Sequence, residues 1–338
     1  MVDNLDLIAP ERRDAARLAL GAAFGGRPVE HLTLLKGGVS GALIYRVGIG
    51  ERTYALRLEP ERIAPHHRER GLACMTAAAT VGVAPAVHYA DAEAGVAVMD
   101  FVEARPLAEH PGGAEGLVRD LGVLIARVQT TPTFPALDDR PGDVIATLLA
   151  NLAASGLFTP GLLDRHADGL ARLRQACPWD PLSFVSSHND PNPRNMLFDG
   201  RRLWLVDWEL AFRHDPMFDV AIVTTETAPT PELEDILVAA AFGRPPDRLI
   251  RARLSLTRLL TRLFYGCIAL EVFANEPRAA IDPSLDAPTP SGFREAVAEG
   301  RFASGDVDIA YVFGKMSLAA FIDGLSAPGV AEALSVAR

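Results

Sequence analysis

Three oxygen-bearing side chains, set on either side of a short apolar run, carry the chemistry of this sequence. Residues His188-Asn189-Asp190-Pro191-Asn192-Pro193-Arg194-Asn195 read H-x-D-x-x-x-x-N, and Asp207 follows behind Leu203-Trp204-Leu205-Val206. A carboxylate held near a substrate hydroxyl can accept its proton as a phosphoryl group arrives, which assigns Asp190 as base. In a loose transition state the hydroxyl needs little activation, so much of the work of Asp190 is orientation. The Asn195 amide oxygen can ligate magnesium while its NH2 braces the loop. Asp207, at the mouth of a buried strand, can bridge the metal to nucleotide phosphates. Mg²⁺ takes a few hard oxygen ligands and keeps several waters, so one Asp and one Asn suffice. Singly, Asp190 also suits a turn before Pro191, Asn195 a cap and Asp207 a strand-end turn. All three in register with a strand between them favour the chemical reading. His188 is expected to pack and hydrogen-bond rather than to act as a base.

The elements that must position these groups lie on both sides. Residues 10–25 have the pattern of an amphipathic helix with Pro10 in its first turn and Gly25-Gly26 at its end. Residues 32–35, 43–47 and 53–58 read as strands, 66–80 as an Ala-rich helix, and 86–89 and 95–101 as two further strands. Between the first two strands lies Lys36-Gly37-Gly38-Val39-Ser40-Gly41, a loop that allows close backbone approach to phosphates. Gly37, Gly38, Ser40 and Gly41 are its candidate contacts. Arg57, on the third strand amid apolar neighbours, can grip phosphate oxygens through its planar fork. Glu69 on the following helix is the expected ion-pair partner of Arg57. From residue 108 onward the pattern is mostly helical, over 113–130, 143–155, 160–175, 217–226, 231–242, 246–274, 308–324 and 328–337. Residues 276–306, rich in Pro, Gly, Ala and Asp, read as a long loop.

Bulk properties narrow the class. The 338-residue chain is 49% hydrophobic and 22% charged, with a mean hydropathy of +0.14, as expected of a soluble two-lobed protein. No apolar run approaches the ~18 residues of a membrane span. The start, Met1-Val2-Asp3-Asn4-Leu5-Asp6, is acidic where a secretory signal is basic, so a cytoplasmic location is expected. The net charge of -10 argues against a nucleic-acid groove and is compatible with a cationic small substrate. Cys74, Cys177 and Cys267 are widely spaced and expected to be reduced thiols.

The run from Ser187 to Ala221, with Arg57 upstream, resembles the aminoglycoside phosphotransferase and choline kinase superfamily, small-molecule relatives of protein kinases. Its H-N-D-x-x-x-x-N, then Asp207-Trp208-Glu209, then Asp215-Pro216-Met217-Phe218-Asp219 lean to the choline/ethanolamine kinase branch. The resemblance implies an α+β, protein-kinase-like two-lobed fold: an N-lobe over 1–101, a hinge at 102–107 and a helical C-lobe over 108–338. It implies ATP and Mg²⁺ as cofactors, with Asp190 as base, Asn195 and Asp207 on the metal, and Arg57 and the glycine loop on the phosphates. The backbone near Asp100 and Val102 would meet adenine, and Asp219 would brace the catalytic loop. Two alternatives stay open beside an amino-alcohol kinase: an aminoglycoside or macrolide kinase, and a nucleotide-binding pseudokinase serving as an interaction module. For the acceptor, Trp208 and Glu209 together suit an ammonium group, and Tyr265 can line its pocket. Leu210, where the branch has an aromatic residue, departs from that pattern.

Overall fold

The structure is a computed structural model that describes residues 5–35, 41–60, 63–136, 144–177, 180–274, 281–302 and 307–337. Helix α1 (Pro10–Phe24) starts on Pro10, whose fixed φ suits a first turn, and ends at Gly25 in the left-handed conformation. Five strands follow, β1 (His31–Leu35), β2 (Leu43–Ile49), β3 (Arg52–Leu58), β4 (Val87–Asp91) and β5 (Val96–Asp100), with α2 (Pro65–Thr80) between β3 and β4. They form one sheet in the order β1-β2-β3-β5-β4. The register Ile44↔Arg57 and Arg57↔Ala97 places Arg57 on the central strand β3. Alternation along β2 and β3 sends Tyr45, Val47, Tyr54, Leu56 and Leu58 into a core shared with Ala16, Ala19 and Leu20 of α1.

Short strands and turns carry the catalytic segment. These are β6 (Val185–Ser187), β7 (Met196–Phe198), β8 (Leu203–Leu205) and β9 (Phe212–His214). β6 pairs with β9, and β7 with β8. The remainder is helical: α3 (Gly113–Gln129), α4 (Val144–Ala154), α5 (Asp164–Ala176), α6 (Met217–Thr227), α7 (Pro231–Phe242), α8 (Arg248–Ala274), α9 (Pro290–Ala298), α10 (Val307–Leu325) and α11 (Val330–Val336). This antiparallel sheet with its one internal helix, followed by a mostly helical remainder, is the protein-kinase-like arrangement.

The chain forms two compact units whose boundaries differ from the expected lobes. One comprises Met1–Pro135, Val185–Arg213 and Glu226–Gly243, and the other Ala136–Phe184, His214–Thr225 and Arg244–Arg338. The first unit thus holds the five-stranded sheet and the catalytic segment, together with α3 and α7. Two contacts explain the shift. The connector is tied down, because Arg105 N donates to Phe198 O at 2.7 Å. Helices α3 and α7 meet at Gly122, where an added Cβ would lie 2.4 Å from the Leu237 carbonyl oxygen. In the second unit, α8 packs on α10 through Gly266 against Leu318 and Gly314 against Leu270.

The helices expected after residue 108 are present with boundaries moved by a few residues, and α9 is additional. It lies inside the stretch read as a loop. Its start has a local cause: Thr289 Oγ1 accepts from Gly292 N at 3.2 Å and Pro290 occupies the first turn. Among the described residues no single helix is long and apolar enough to cross a membrane. All three cysteines are free thiols, and burial pushes those of Cys74 and Cys267 up to about 12.

His214 is fully buried beside Phe184 and Phe218 in the second unit, and burial pushes its imidazole down to about 3. Its ordinary value in an unfolded chain is ~6.5. The unfolded state therefore takes up the proton first, so stability held above pH ~6.5 is lost as pH falls toward 3. Each such histidine contributes a slope of about 1.4 kcal/mol per pH unit between those values. Urea unfolding measured from pH 7 to pH 4 should show this decline, and His214→Phe should flatten it.

Candidate active site

The catalytic loop leaves β6 and is fixed by its own backbone. His188 is completely buried; its Nδ1 accepts from Asp190 N at 3.3 Å and its Nε2 donates to Val206 O at 3.0 Å. That pattern requires the neutral imidazole. Burial agrees, pushing His188 down to about 4 against the opposing pull of the Val206 carbonyl and Asp207. Asn189 has φ 62, in the left-handed region that only Gly, Asn and Asp visit readily. Its side chain donates to Leu210 O at 3.0 Å, tying the loop to the segment after Asp207.

Asp190 is presented at the end of this loop. Its Oδ1 accepts from Asn192 Nδ2 at 2.9 Å and its Oδ2 from Asn195 Nδ2 at 3.0 Å. Asn195 Nδ2 also donates to Asp190 O at 3.0 Å. The amide NH2 of Asn195 thus braces the catalytic carboxylate, leaving its amide oxygen for another task. Asn195 closes a single 3-10 turn, Pro193–Asn195, begun by the Asn192 side chain accepting from Arg194 N.

The β7–β8 ladder brings the second carboxylate alongside. Its register is Met196↔Leu205, Leu197↔Trp204 and Phe198↔Leu203, and Val206 N donates to Asn195 O at 3.0 Å. Asn195 and Asp207 therefore flank the same open end of the hairpin. Asp207 also has a positive φ of 65, the second such non-glycine residue among those described. Strain at this position turns the chain out of the strand and aims the carboxylate away from the β7–β8 ladder.

Arg57 faces the same carboxylate. Its Nη2 lies 3.0 Å from Asp207 Oδ1 and 3.5 Å from Glu209 Oε2, and its Nε donates to Glu59 Oε1 at 2.6 Å. The Asp207 contact is an ion pair without hydrogen-bond alignment, so Oδ1 is buried and accepts none. Burial alone would lower the guanidinium's pKa; Asp207, Glu59 and Glu209 outweigh it and raise it. Burial pushes Glu209 up to about 7, reinforced by Asp207 and opposed by Arg57. One guanidinium faces three carboxylates here, and Asp190 adds to the negative field at Glu209.

This donor set fits a hard divalent cation. It offers a buried carboxylate oxygen that accepts no hydrogen bond, the Asn195 amide oxygen, and more carboxylates than the one guanidinium they face. Among the described residues no cluster of three or more His, Cys, Asp or Glu side chains is arranged to hold a metal. An ion on Asn195 and Asp207 must complete its shell with water and phosphate oxygens.

Several expected residues fall elsewhere. Glu69 is exposed on α2 and is not the partner of Arg57; Glu59, two positions along the same strand direction, takes that place. Residues two apart on an extended chain share a face, a signal the sequence did contain. α2 instead approaches through Gly71, where an added Cβ would lie 3.3 Å from Trp208 O, while Arg70 donates to Glu209 O at 3.0 Å. Trp208 is 3% exposed, edge-on to Phe134 and packed over His188, so it supports the catalytic loop rather than walling an acceptor pocket. Glu209 faces Arg57, with its Oε2 3.5 Å from Nη2.

Gly37, Gly38 and Ser40 lie outside the described residues; Gly41, described, has φ 80. At the expected hinge, Asp100 N donates to Ala86 O, and Val102 N makes no hydrogen bond among the described residues. Tyr265 on α8 is half-buried, with Phe264 and Phe313 as ring neighbours. Asp219 is buried in the first turn of α6, in the second unit.

A 51-residue stretch is 41% identical to protein LicA of Haemophilus influenzae, covering 15% of this chain and 19% of that protein. The chain thus spans about a fifth of that curated relative. The fold is similar to that of a choline/ethanolamine kinase family protein from Mesorhizobium loti, with TM-score 0.68 and 21% identity over 97% of this chain and 99% of that one. It is also similar to macrolide 2'-phosphotransferase MphH from Brachybacterium faecium, with TM-score 0.54 and 19% identity over 78% and 99%. The sequence profile of the phosphotransferase enzyme family matches residues 31–250, most of the chain, and the protein belongs to that family.

Proposed function

We propose that this protein transfers the γ-phosphoryl group of ATP, with Mg²⁺, to a hydroxyl of a small molecule. The observation that carries the reading is the shared use of Asn195: its NH2 holds Asp190 while its amide oxygen and the Asp207 carboxylate flank one hairpin end. In this reading Asp190 orients the acceptor hydroxyl and takes its proton as the bond to phosphorus forms. His188 holds the loop that presents Asp190, and the backbone hydrogen bonds at both its ring nitrogens keep it from competing as a base. Arg57 meets phosphate oxygens and faces Asp207 at the same time. A magnesium ion on Asn195 and Asp207 would neutralise charge on the phosphates.

For the acceptor, we favour an amino alcohol such as choline or ethanolamine. The family of the Mesorhizobium loti neighbour, the acidity of the chain and a half-buried aromatic group in the second unit support it. There Tyr265 lies 6.2 Å from Phe313, which lies 5.8 Å from Phe293, measured between ring centroids. Such faces attract a quaternary or primary ammonium. Trp208 and Glu209 no longer contribute to that argument. A macrolide or aminoglycoside kinase is the second reading, favoured by the likeness to MphH. A cytoplasmic, nucleotide-binding module without turnover is the remaining alternative.

An ADP-release screen over amino alcohols, aminoglycosides, macrolides and sugars separates these readings. Turnover on choline or ethanolamine supports the first, turnover confined to an antibiotic supports the second, and Mg-ATP binding without turnover on any alcohol supports the module. On the acceptor so identified, Asp190→Ala should lower kcat by about 10²- to 10⁴-fold while Mg-ATP affinity, read by calorimetry, stays near wild type. Wild-type turnover in that variant would remove Asp190 from the role of base. Asp207→Ala should instead weaken Mg-ATP binding itself; an unaltered magnesium dependence would refute its role as a ligand.

A further inference from the structure

We infer that Glu59 is the residue that positions Arg57 for nucleotide phosphates, and that helix α1 holds Glu59 in place through Arg12. The inference rests on the phosphotransferase reading above. Glu59 directly follows β3 and shares a face with Arg57. Its Oε1 accepts from Arg57 Nε at 2.6 Å, and the two side chains are only 8% and 9% exposed. The other oxygen, Oε2, is buried and accepts no hydrogen bond. A buried carboxylate with half its acceptors empty is costly to fold around. Its effect on the guanidinium gives it a physical purpose.

That effect is orientation. A guanidinium fixed at Nε by Glu59 and facing Asp207 and Glu209 with Nη2 can no longer rotate in its plane. Its Nη1 then makes no hydrogen bond among the described residues, so a pair of donors is held ready for an anionic ligand. The backbone of Glu59 is fixed as tightly as its side chain. Its N donates to Gly95 O at 2.8 Å. Its O accepts from Arg12 Nη1 at 2.7 Å, while Arg12 Nη2 donates to Ala94 O at 2.9 Å and Gly95 O at 3.0 Å. Gly95 has φ 61, and an added Cβ there would lie 3.3 Å from Glu59 Cβ. One arginine of α1 therefore clamps the end of β3 to the turn before β5, and Glu59 lies between that clamp and Arg57. Helix α1 lies outside the matched stretch 31–250, so this support is supplied by the chain's own N-terminal element.

The test compares Glu59→Ala, Glu59→Gln and Arg12→Met in the full chain, with Mg-ATP as ligand. Two readouts are needed: the KM values of Mg-ATP and acceptor, and the NMR signal of the Arg57 Nε–H in nucleotide-free protein. Loss of one charge-assisted contact at Arg57 should raise the Mg-ATP KM about 10- to 100-fold in Glu59→Ala. The acceptor KM should change by no more than about twofold, as expected for a contact confined to the nucleotide side. Glu59→Gln should recover most of the loss, because its amide oxygen still accepts from Nε. Arg12→Met, which leaves the carboxylate intact, should shift the same parameter in the same direction by a smaller factor. The slowly exchanging Nε–H signal of the free protein should vanish in Glu59→Ala and persist in Glu59→Gln. A folded Glu59→Ala with unchanged Mg-ATP KM overturns the inference, as do equal rises in both KM values or a persisting Nε–H signal. Wild-type protein that binds no Mg-ATP, with the signal still lost in Glu59→Ala, overturns the phosphotransferase reading and supports only the contact.

Discussion

A buried guanidinium outnumbered by carboxylates is the interaction around which the first unit is organised. Arg57 cannot be left uncompensated on a central strand, since a lone buried charge costs several kcal/mol. Glu59, Asp207 and Glu209 compensate it, but they overshoot. Burial first, and the neighbouring carboxylates after it, displace Glu209 upward. A site that burdens itself with surplus negative charge is not built for its own stability. In the proposed reading a metal-nucleotide would supply both a cation and the anionic oxygens that Arg57 is placed to meet.

This charge arrangement depends on close backbone approach. Asp207 and Glu209 reach Arg57 because β8 ends in a residue with positive φ and because α2 passes the following segment at Gly71. The catalytic loop uses the same device one step earlier, with Asn189 in the left-handed region directly before Asp190. Two strained residues sit beside the two carboxylates assigned to chemistry, and each costs of order 1–3 kcal/mol. Hydrogen bonds from Asn189 to Leu210 O and from Val206 N to Asn195 O hold them there. His188 completes the scaffold, with its two ring nitrogens bound to the backbone of both segments and Trp208 packed on its face.

What could be read from the sequence divides along physical lines. The convergence of Asp190, Asn195 and Asp207 was legible because it follows from spacing: a tight loop and a three-residue ladder leave little freedom in where they end. The order of strands and helices was legible because Gly, Pro and apolar alternation punctuate it. The partner of Arg57 was misassigned because a helix glutamate was sought across the fold, when the i,i+2 rule on a strand already pointed to Glu59. Helix α9 was missed because a stretch rich in Pro and Gly outweighed its Thr-Pro start. Trp208 and Glu209 were misread because residue type gives the chemistry a side chain can do but not the side it faces. The chain turns at Asp207 and again at Glu209, and Trp208 enters the core while Glu209 comes to lie beside Arg57.

That opposition has a consequence for specificity. Trp208 is turned to the core and Glu209 is engaged by Arg57, so the two residues that follow Asp207 serve the packing and charge of the first unit. The half-buried rings on α8, α9 and α10 stand outside this geometry. A fold arranged this way can hold its phosphoryl-transfer apparatus constant while helices far along the chain vary. Similar folds can therefore occur in a choline/ethanolamine kinase family protein and in a macrolide phosphotransferase, and the catalytic segment alone is a poor guide to which molecule is phosphorylated.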